Sequence, residues 1–345
     1  MERSQARDFF RDVIAMAPMA MGGNLPYRVL CRQFGAVRTC SEMVLSDKLV
    51  KGGERPLIRH HPSESDFGVQ LAGKRPEVMA EAARIAIEHG ANFIDLNFGC
   101  PIDLIVRRGS GAALLKRPTR LGEIVAAVRG AVDVPLSVKL RLGYSEAKLN
   151  VVDLASRVQD AGADAVGVHG RTRNQRYRLN ARWDLIDEVA RAVEIPVLGN
   201  GDLLTPWDLE HRRAETTVTS FLVARGALIK PWIFRELAEG RPWDPSVPER
   251  WAILRRYLEL ALEYFGDDEK GTSRARKFFL WHWKFWHRYR PWSADEFAAH
   301  WPDSLMQARN PRVEGDPDAV LLASTEEAAH EIIWQRVLDR DFPAE

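Results

Sequence analysis

The chain has 345 residues, nearly half of them apolar, and a formal net charge of +1. That length allows one large domain or two ordinary ones, and the near-balanced charge excludes a generally polycationic protein while leaving local basic patches open. Three scattered cysteines, Cys31, Cys40 and Cys100, exclude a disulfide framework or a paired-thiol motif and suit a reducing cytosol. No apolar run approaches the ~20 residues of a membrane span, and the first residues lack the apolar core and cleavage site of a secretory signal. A cytoplasmic protein without membrane contact is expected.

From residue 12 to about 230 one pattern repeats: a short apolar run ends in glycine or polar residues, and an amphipathic stretch follows. The runs are VIAMAP, CSEMV, FGVQLAG, FIDLNFG, LSVKLRLG, AVGVHGR, IPVLGNG and SFLVARG. Between them, RPEVMAEAARIAIEHG and LNVVDLASRVQDAGAD show helical periods, the second through Val151, Leu154, Ala155 and Val158, with Gly162 as a stop. Continuous apolar strands alternating with helices predict a parallel sheet covered on both faces. Eight units in some 220 residues predict an α/β fold of the (β/α)8, or TIM barrel, type. No GxGxxG follows the first strand, which counts against a dinucleotide-binding doubly wound sheet. After Pro231 the strand signal stops. VPERWAILRRYLELALEYFGDD, GTSRARKFFLWHWKFWHRYRPW and STEEAAHEIIWQRVLD predict helices, the last opened by a capping box from Ser324 to Glu327. The expected organisation is a barrel over 1–240 and a small all-α domain over 241–345.

Function in such barrels collects where strands run into the following loops. The residues there are Pro18-Met19-Ala20, Gln70, Asn97 with Cys100, Lys139 and Arg141, His169, Asn200-Gly201-Asp202 and Ala224-Arg225-Gly226. NGD after strand seven and ARG after strand eight fall where barrels hold a phosphate, with Arg225 as a bidentate charge. Lys139 and Gln70 would then face a flat heterocycle such as a flavin. Taken singly, each has an ordinary reading: a solvated strand end, a turn, a small apolar filler, a core histidine. Their occurrence at successive strand ends favours a site.

This set resembles the dihydrouridine synthases, flavin enzymes that reduce uridines in tRNA. The resemblance is carried by APM at 17–19, VQLAG at 69–73, NFGCPIDLIVRRGSGAALL at 97–115, VKLRLG at 138–143, HGRTRNQRY at 169–177, LGNGD at 198–202 and VARGAL at 223–228. GNLPYRVLCRQFGA, CPIDL and ARGALIKPWIF are similar to the eukaryotic branch that acts on the variable loop, although the chain has neither the length nor the cysteines for that branch's zinc-finger segments. The resemblance implies FMN as cofactor and NADPH as reductant, with hydride passing from flavin N5 to uracil C6. It implies that Cys100 gives the proton to C5 and that Asn97 lies near flavin and uracil. It further implies an FMN site of Pro18, Met19, Gln70, Lys139, His169, Asn200, Gly201, Asp202, Ala224 and Arg225. Ala20 joins them as a continuation of its loop, and Arg141 and Arg171 face substrate RNA. A thiol suits the acid because its ordinary pKa, about 8.5, leaves it protonated at neutral pH. Gly99 and Pro101 shape its turn, the glycines of RRGSG give it a mobile continuation, and Arg107 and Arg108 can meet phosphate.

A uridine that must leave its stack needs a surface that grips folded RNA. Residues 274–290, RARKFFLWHWKFWHRYR, hold six Arg or Lys and no acid. As a helix they would place Phe278, Trp281, Phe285 and Trp286 on one face, mostly core, and Lys277, Lys284 and Arg288 on another, toward RNA. No metal and no protein partner is implied, and a monomer is expected. The alternatives are a synthase acting on ribosomal or other RNA, a flavin barrel for a small substrate, or a non-catalytic RNA-binding protein.

Overall fold

The computed structural model describes residues 2–307 and 313–343. All eight apolar runs contain strands: β1 (Ile14–Met16), β2 (Thr39–Cys40), β3 (Phe67–Ala72), β4 (Phe93–Asn97), β5 (Leu136–Arg141), β6 (Ala165–His169), β7 (Val197–Asn200) and β8 (Ser220–Val223). From β2 onward each pairs in parallel with the next, and β8 pairs in parallel with β1. On the remaining side, the Met16 N–H donates to the carbonyl of Arg38 at 3.0 Å. The sheet thus curls into the expected TIM barrel.

The second run departs from expectation. The strand breaks after Cys40 and its edge resumes at Val44–Leu45. In the gap, the Glu42 carboxylate accepts a hydrogen bond from the Met21 N–H, which ties down the loop after β1. CSEMV therefore spans a kink.

Strand alternation decides which residues look into the barrel. Phe93, Ala165, Leu198 and Leu222 belong to a small inner cluster with Phe10, Ala15 and Cys40. Their neighbours Ile94, Leu96, Val138, Val166 and Val197 belong to the large core between strands and helices. By that parity Gln70, Asp95, Asn97, Ser137, Lys139, Arg141, His169 and Asn200 all point inward, at the carboxyl end or one layer below it.

The crossover helices follow their sequence signals. Pro76–Glu88 and Val151–Asp160 fall inside the predicted stretches, and the second buries Val151, Leu154, Ala155 and Val158. Pro206–Glu215 opens with a capping box between Thr205 and Asp208. The Ile233–Glu239 helix ends at Gly240, whose φ of 69° is the left-handed stop.

Beyond it come helices Val247–Phe265, Glu269–Trp286, Ala294–His300, Pro317–Leu322 and Glu327–Asp339. The first two pack on Leu25–Gln33 and Arg225–Ile229 of the barrel. One apolar core runs through both halves, joining Tyr27 and Leu228 to Tyr257, Phe279 and Ile333. Two helix expectations need correction. The stripe that Glu269–Trp286 buries is Ala275, Phe279, His282, Trp283 and Trp286, so Phe278, Trp281 and Phe285 are only half-buried. The apolar surface available to this helix comes from two sides, and its deepest contact is with Tyr27. Ser324 caps no helix: its hydroxyl accepts from Glu326 N–H at 3.2 Å and its carbonyl from Trp283 Nε1 at 3.3 Å, and the helix starts at Glu327. Among the described residues no helix is long and apolar enough to cross a membrane.

Candidate active site

A cavity of about 520 Å³ opens at the carboxyl ends of the strands, within the size range of small-molecule sites. Its floor is a buried polar chain. Ser137 Oγ donates to Asp95 Oδ1 at 2.6 Å, and Gln70 Nε2 donates to Asp95 Oδ2 at 2.6 Å. Asn97 Nδ2 donates to Gln70 Oε1 at 2.8 Å. Asn97 Oδ1 then accepts the N–H groups of Gly99 (3.2 Å) and Cys100 (2.9 Å). One line of hydrogen bonds thus fixes the Gln70 amide and the turn that carries Cys100. Asp95, a carboxyl inside an apolar strand, was not singled out in the sequence. Burial raises its pKa.

Lys139 crosses this floor. Gly167 makes room for it, since a Cβ there would lie 2.8 Å from Lys139 Cδ. Burial, reinforced by Arg141, lowers the Lys139 pKa to about 7, with Asp95 opposing. The same causes, burial first, push His169 well below its ordinary value. Arg171 NH1 lies 3.2 Å from His169 Nε2. A guanidinium only donates, so Nε2 accepts and the neutral ring carries its proton on Nδ1.

Cys100 is the one cysteine of the three that is not buried. Partial burial raises its thiol pKa, against weaker opposing effects from the Ile102 backbone and Arg141. Its carbonyl accepts from Ala112 N–H at 3.0 Å. Gly111, at φ +59°, passes directly beneath: a Cβ there would lie 2.9 Å from the Cys100 carbonyl oxygen and 3.1 Å from Cys100 Cβ. This glycine serves close approach.

Arg141 and Arg171, expected at substrate RNA, line the cavity and are bonded internally. Arg141 donates from Nε to Gly99 O (2.8 Å) and from NH1 to Thr172 O (3.0 Å) and Arg176 O (2.8 Å). It ties the Cys100 turn to the loop after β6. Arg171 is 1 % exposed; it bonds the carbonyls of Arg178 and Leu179 and pairs with Asp202 at 2.6 Å. Both sit in the cavity wall but reach no outer surface. Asp202, expected to touch cofactor, is likewise committed. Its oxygens accept from Arg171, from Arg225 NH2 at 2.8 Å and from Ala181 N–H at 2.7 Å. It also lines the cavity, and its bond to Arg225 holds that guanidinium in place. Asn200 Nδ2 donates to Leu222 O at 2.7 Å, leaving its carbonyl oxygen to the cavity.

All the strand-end residues named from the sequence line this one cavity: Pro18, Met19, Ala20, Gln70, Asn97, Cys100, Lys139, Arg141, His169, Arg171, Asn200, Gly201, Asp202, Ala224 and Arg225. Arg107 and Arg108 are exposed on the rim, outside the lining. Lys277 and Lys284 are exposed on the Glu269–Trp286 helix. Arg288 lies in a turn past that helix's end, exposed, and does reach the cavity. The lining also includes residues the sequence reading passed over or took as core: Met43, Tyr177, Trp281, Phe285 and Met306. Trp281 and Phe285, four residues apart and left over from the buried stripe, are the signal that could have found the roof.

The wall combines one buried lysine, four arginines and amide edges around one space. It suits an electron-rich planar heterocycle with a phosphate tail. Among the described residues no group of three His, Cys, Asp or Glu could hold a metal ion.

The family model described as dihydrouridine synthase matches residues 15–308. The chain is 41% identical over 288 residues to tRNA-dihydrouridine(47) synthase [NAD(P)(+)]-like of Homo sapiens, covering 81% of this chain and 44% of that protein. It is 40% identical over 287 residues to the protein of the same name from Xenopus laevis, covering 82% and 44%. It spans less than half the length of these curated relatives. Histamine dehydrogenase from Rhizobium sp. 4-9 superposes with a TM-score of 0.51 at 13% identity over 72% of this chain and 48% of that one, a likeness of fold alone.

Proposed function

The chain belongs to the dihydrouridine synthase family, and from that premise we propose that it reduces a uridine of tRNA to 5,6-dihydrouridine, with FMN as cofactor and NADPH as reductant. The uridine we assign is position 47, the position in its relatives' names. The observation that carries the reading is a partly buried thiol, Cys100, and a buried lysine, Lys139, on the walls of one cavity.

FMN would be held by Gln70, Lys139, His169, Asn200, Gly201 and Arg225, and when bound it supplies the hydride for C6 of uracil. The chain's own groups do the rest. Lys139, in its protonated form, stabilises negative charge at the buried floor of the site. The Asp95–Gln70–Asn97 chain orients amide edges and holds the Cys100 turn. Cys100 Sγ–H gives its proton to C5, so that hydride and proton together saturate the C5–C6 bond and leave a thiolate to be reprotonated from solvent. Lys277, Lys284 and Arg288 meet RNA phosphate, which makes binding salt-dependent.

The test is an anaerobic single turnover. Enzyme reduced by NADPH and freed of excess reductant is mixed with unmodified tRNA while flavin absorbance is followed. Rapid reoxidation with dihydrouridine in the digest is expected, and a flavin that stays reduced would refute the tRNA reading. Cys100→Ala should keep its flavin and its NADPH oxidation and lose at least about 100-fold in uridine reduction. Wild-type reduction by that variant would reject Cys100 as the acid.

A further inference from the structure

Nine large apolar side chains stand exposed among the described residues, and four of them fall on two segments after β4 and β6: the short helix Asp103–Arg107 with its N-cap, and the loop after β6. Ile102 (47 % exposed) and Leu104 (50 %) follow Cys100; Tyr177 (55 %) and Leu179 (62 %) follow β6. Ile102 and Tyr177 reach the cavity lining, while Leu104 and Leu179 stand outside it. Asp103 joins the two segments by ion pairs to Arg173 and Arg176.

The second loop is held in an unfavourable shape. Arg176 and Leu179 have φ of 55° and 63°, the left-handed region that costs a side chain about 1 kcal/mol or more. It persists because Arg141 and Arg171 bond the carbonyls of Arg176, Arg178 and Leu179 from inside. Two buried guanidinium groups therefore fix a loop whose outward product is an exposed leucine. Apolar groups displayed on a pinned frame mark a contact surface. The charge beside them names the class of partner. Arg107, Arg108 and Arg178 are exposed and form no ion pair among the described residues. Apolar side chains among free guanidinium groups fit bases and phosphates, and their place beside a cavity lined by Ile102 and Tyr177 favours a nucleic acid over an apolar protein face.

We propose that Ile102, Leu104 and Leu179 form an apolar ledge that packs against the RNA bases flanking the reduced uridine, filling the place its uracil leaves. The ledge rests on the reading that the chain reduces a uridine in RNA. Extruding a base costs stacking, and an apolar group inserted in its stead offsets part of that cost. The ledge therefore acts on extrusion, after binding, while the arginines act on affinity.

The experiment uses the full chain with bound flavin and the double variant Leu104→Gln, Leu179→Asn; Asn tolerates the left-handed backbone. Flavin content and reduction by NADPH are expected to match wild type. The maximal single-turnover rate with tRNA is expected to fall about 10-fold or more, with affinity changed less than about threefold. The conservative Leu104→Met, Leu179→Met variant should keep the rate. A wild-type maximal rate in the Gln/Asn variant overturns the ledge, as does a loss confined to affinity. If wild-type enzyme itself fails to reduce tRNA, the functional reading falls and the ledge with it.

Discussion

Burial moves two groups of the cavity in opposite directions along the pH scale. It raises the Cys100 thiol and lowers the Lys139 ammonium. Burial favours the protonated thiol, so the loss of rate due to Cys100 itself should come only on the alkaline side, above the ordinary cysteine range; the limb of a pH–rate profile that is absent from Cys100→Ala checks this. Lys139 makes a stability statement. Between about pH 7 and the ordinary lysine value near 10.4, the unfolded chain holds a proton that the folded chain has lost. This group's contribution therefore rises with pH across that window, by up to about 1.4 kcal/mol per unit. Lys139→Met should be more stable than wild type at pH 6, by a margin that shrinks toward pH 9 in urea unfolding of the flavin-free protein. Cys100, Lys139 and Gln70 were legible because a strand end is a poor place for a polar residue without a task. Asp95 was not, because its partners Ser137 and Gln70 come from neighbouring strands. Asp202 was read for its position, but only the fold shows its two oxygens already taken by arginines.

The turn from Asn97 to Gly111 works as a unit. Asn97 caps its start, Arg141 holds its middle through Gly99, and Gly111 closes beneath Cys100. Gly111→Ala would push a methyl into the Cys100 carbonyl at a backbone angle that disfavours alanine. The expected result is a loss of about 1 kcal/mol or more of stability, a slower uridine reduction and an unchanged flavin content, read by thermal melting and single turnover on the same sample. At this scale the helices of the barrel were legible from period and caps. The Glu269–Trp286 helix was legible as a helix but misphased by one position. Its aromatics occur on nearly every side, so the pattern does not say which face is deepest. Tyr27 decides that, stacking on His282 at 3.9 Å and accepting from Trp286 Nε1.

The whole molecule divides in sequence but not in packing. The change of pattern after Pro231 and the stop at Gly240 are real features of the chain, and a boundary near 240 was drawn from them. Yet Tyr27 bonds the carbonyl of Ala227 at 2.6 Å while carrying His282 and Trp286 on its ring, and Trp232 packs on Tyr289. Barrel and helices should therefore unfold in a single cooperative transition in calorimetry, and two resolved transitions would show that the shared core does not couple them. Pattern along a chain reports local structure; it does not report which apolar faces meet.

The cavity at the strand ends has a temporal consequence. Its roof, Trp281 and Phe285, and its floor, Gln70 and Lys139, enclose one space, and both the nicotinamide and the uracil of the proposed reaction must be received there. They take turns. The proposed reaction would then run as a two-stroke machine, emptied of one visitor before it admits the other, and parallel lines are expected in double-reciprocal plots. Each substrate in excess would block the stroke of the other, and abundant RNA would slow the refilling of its own reductant.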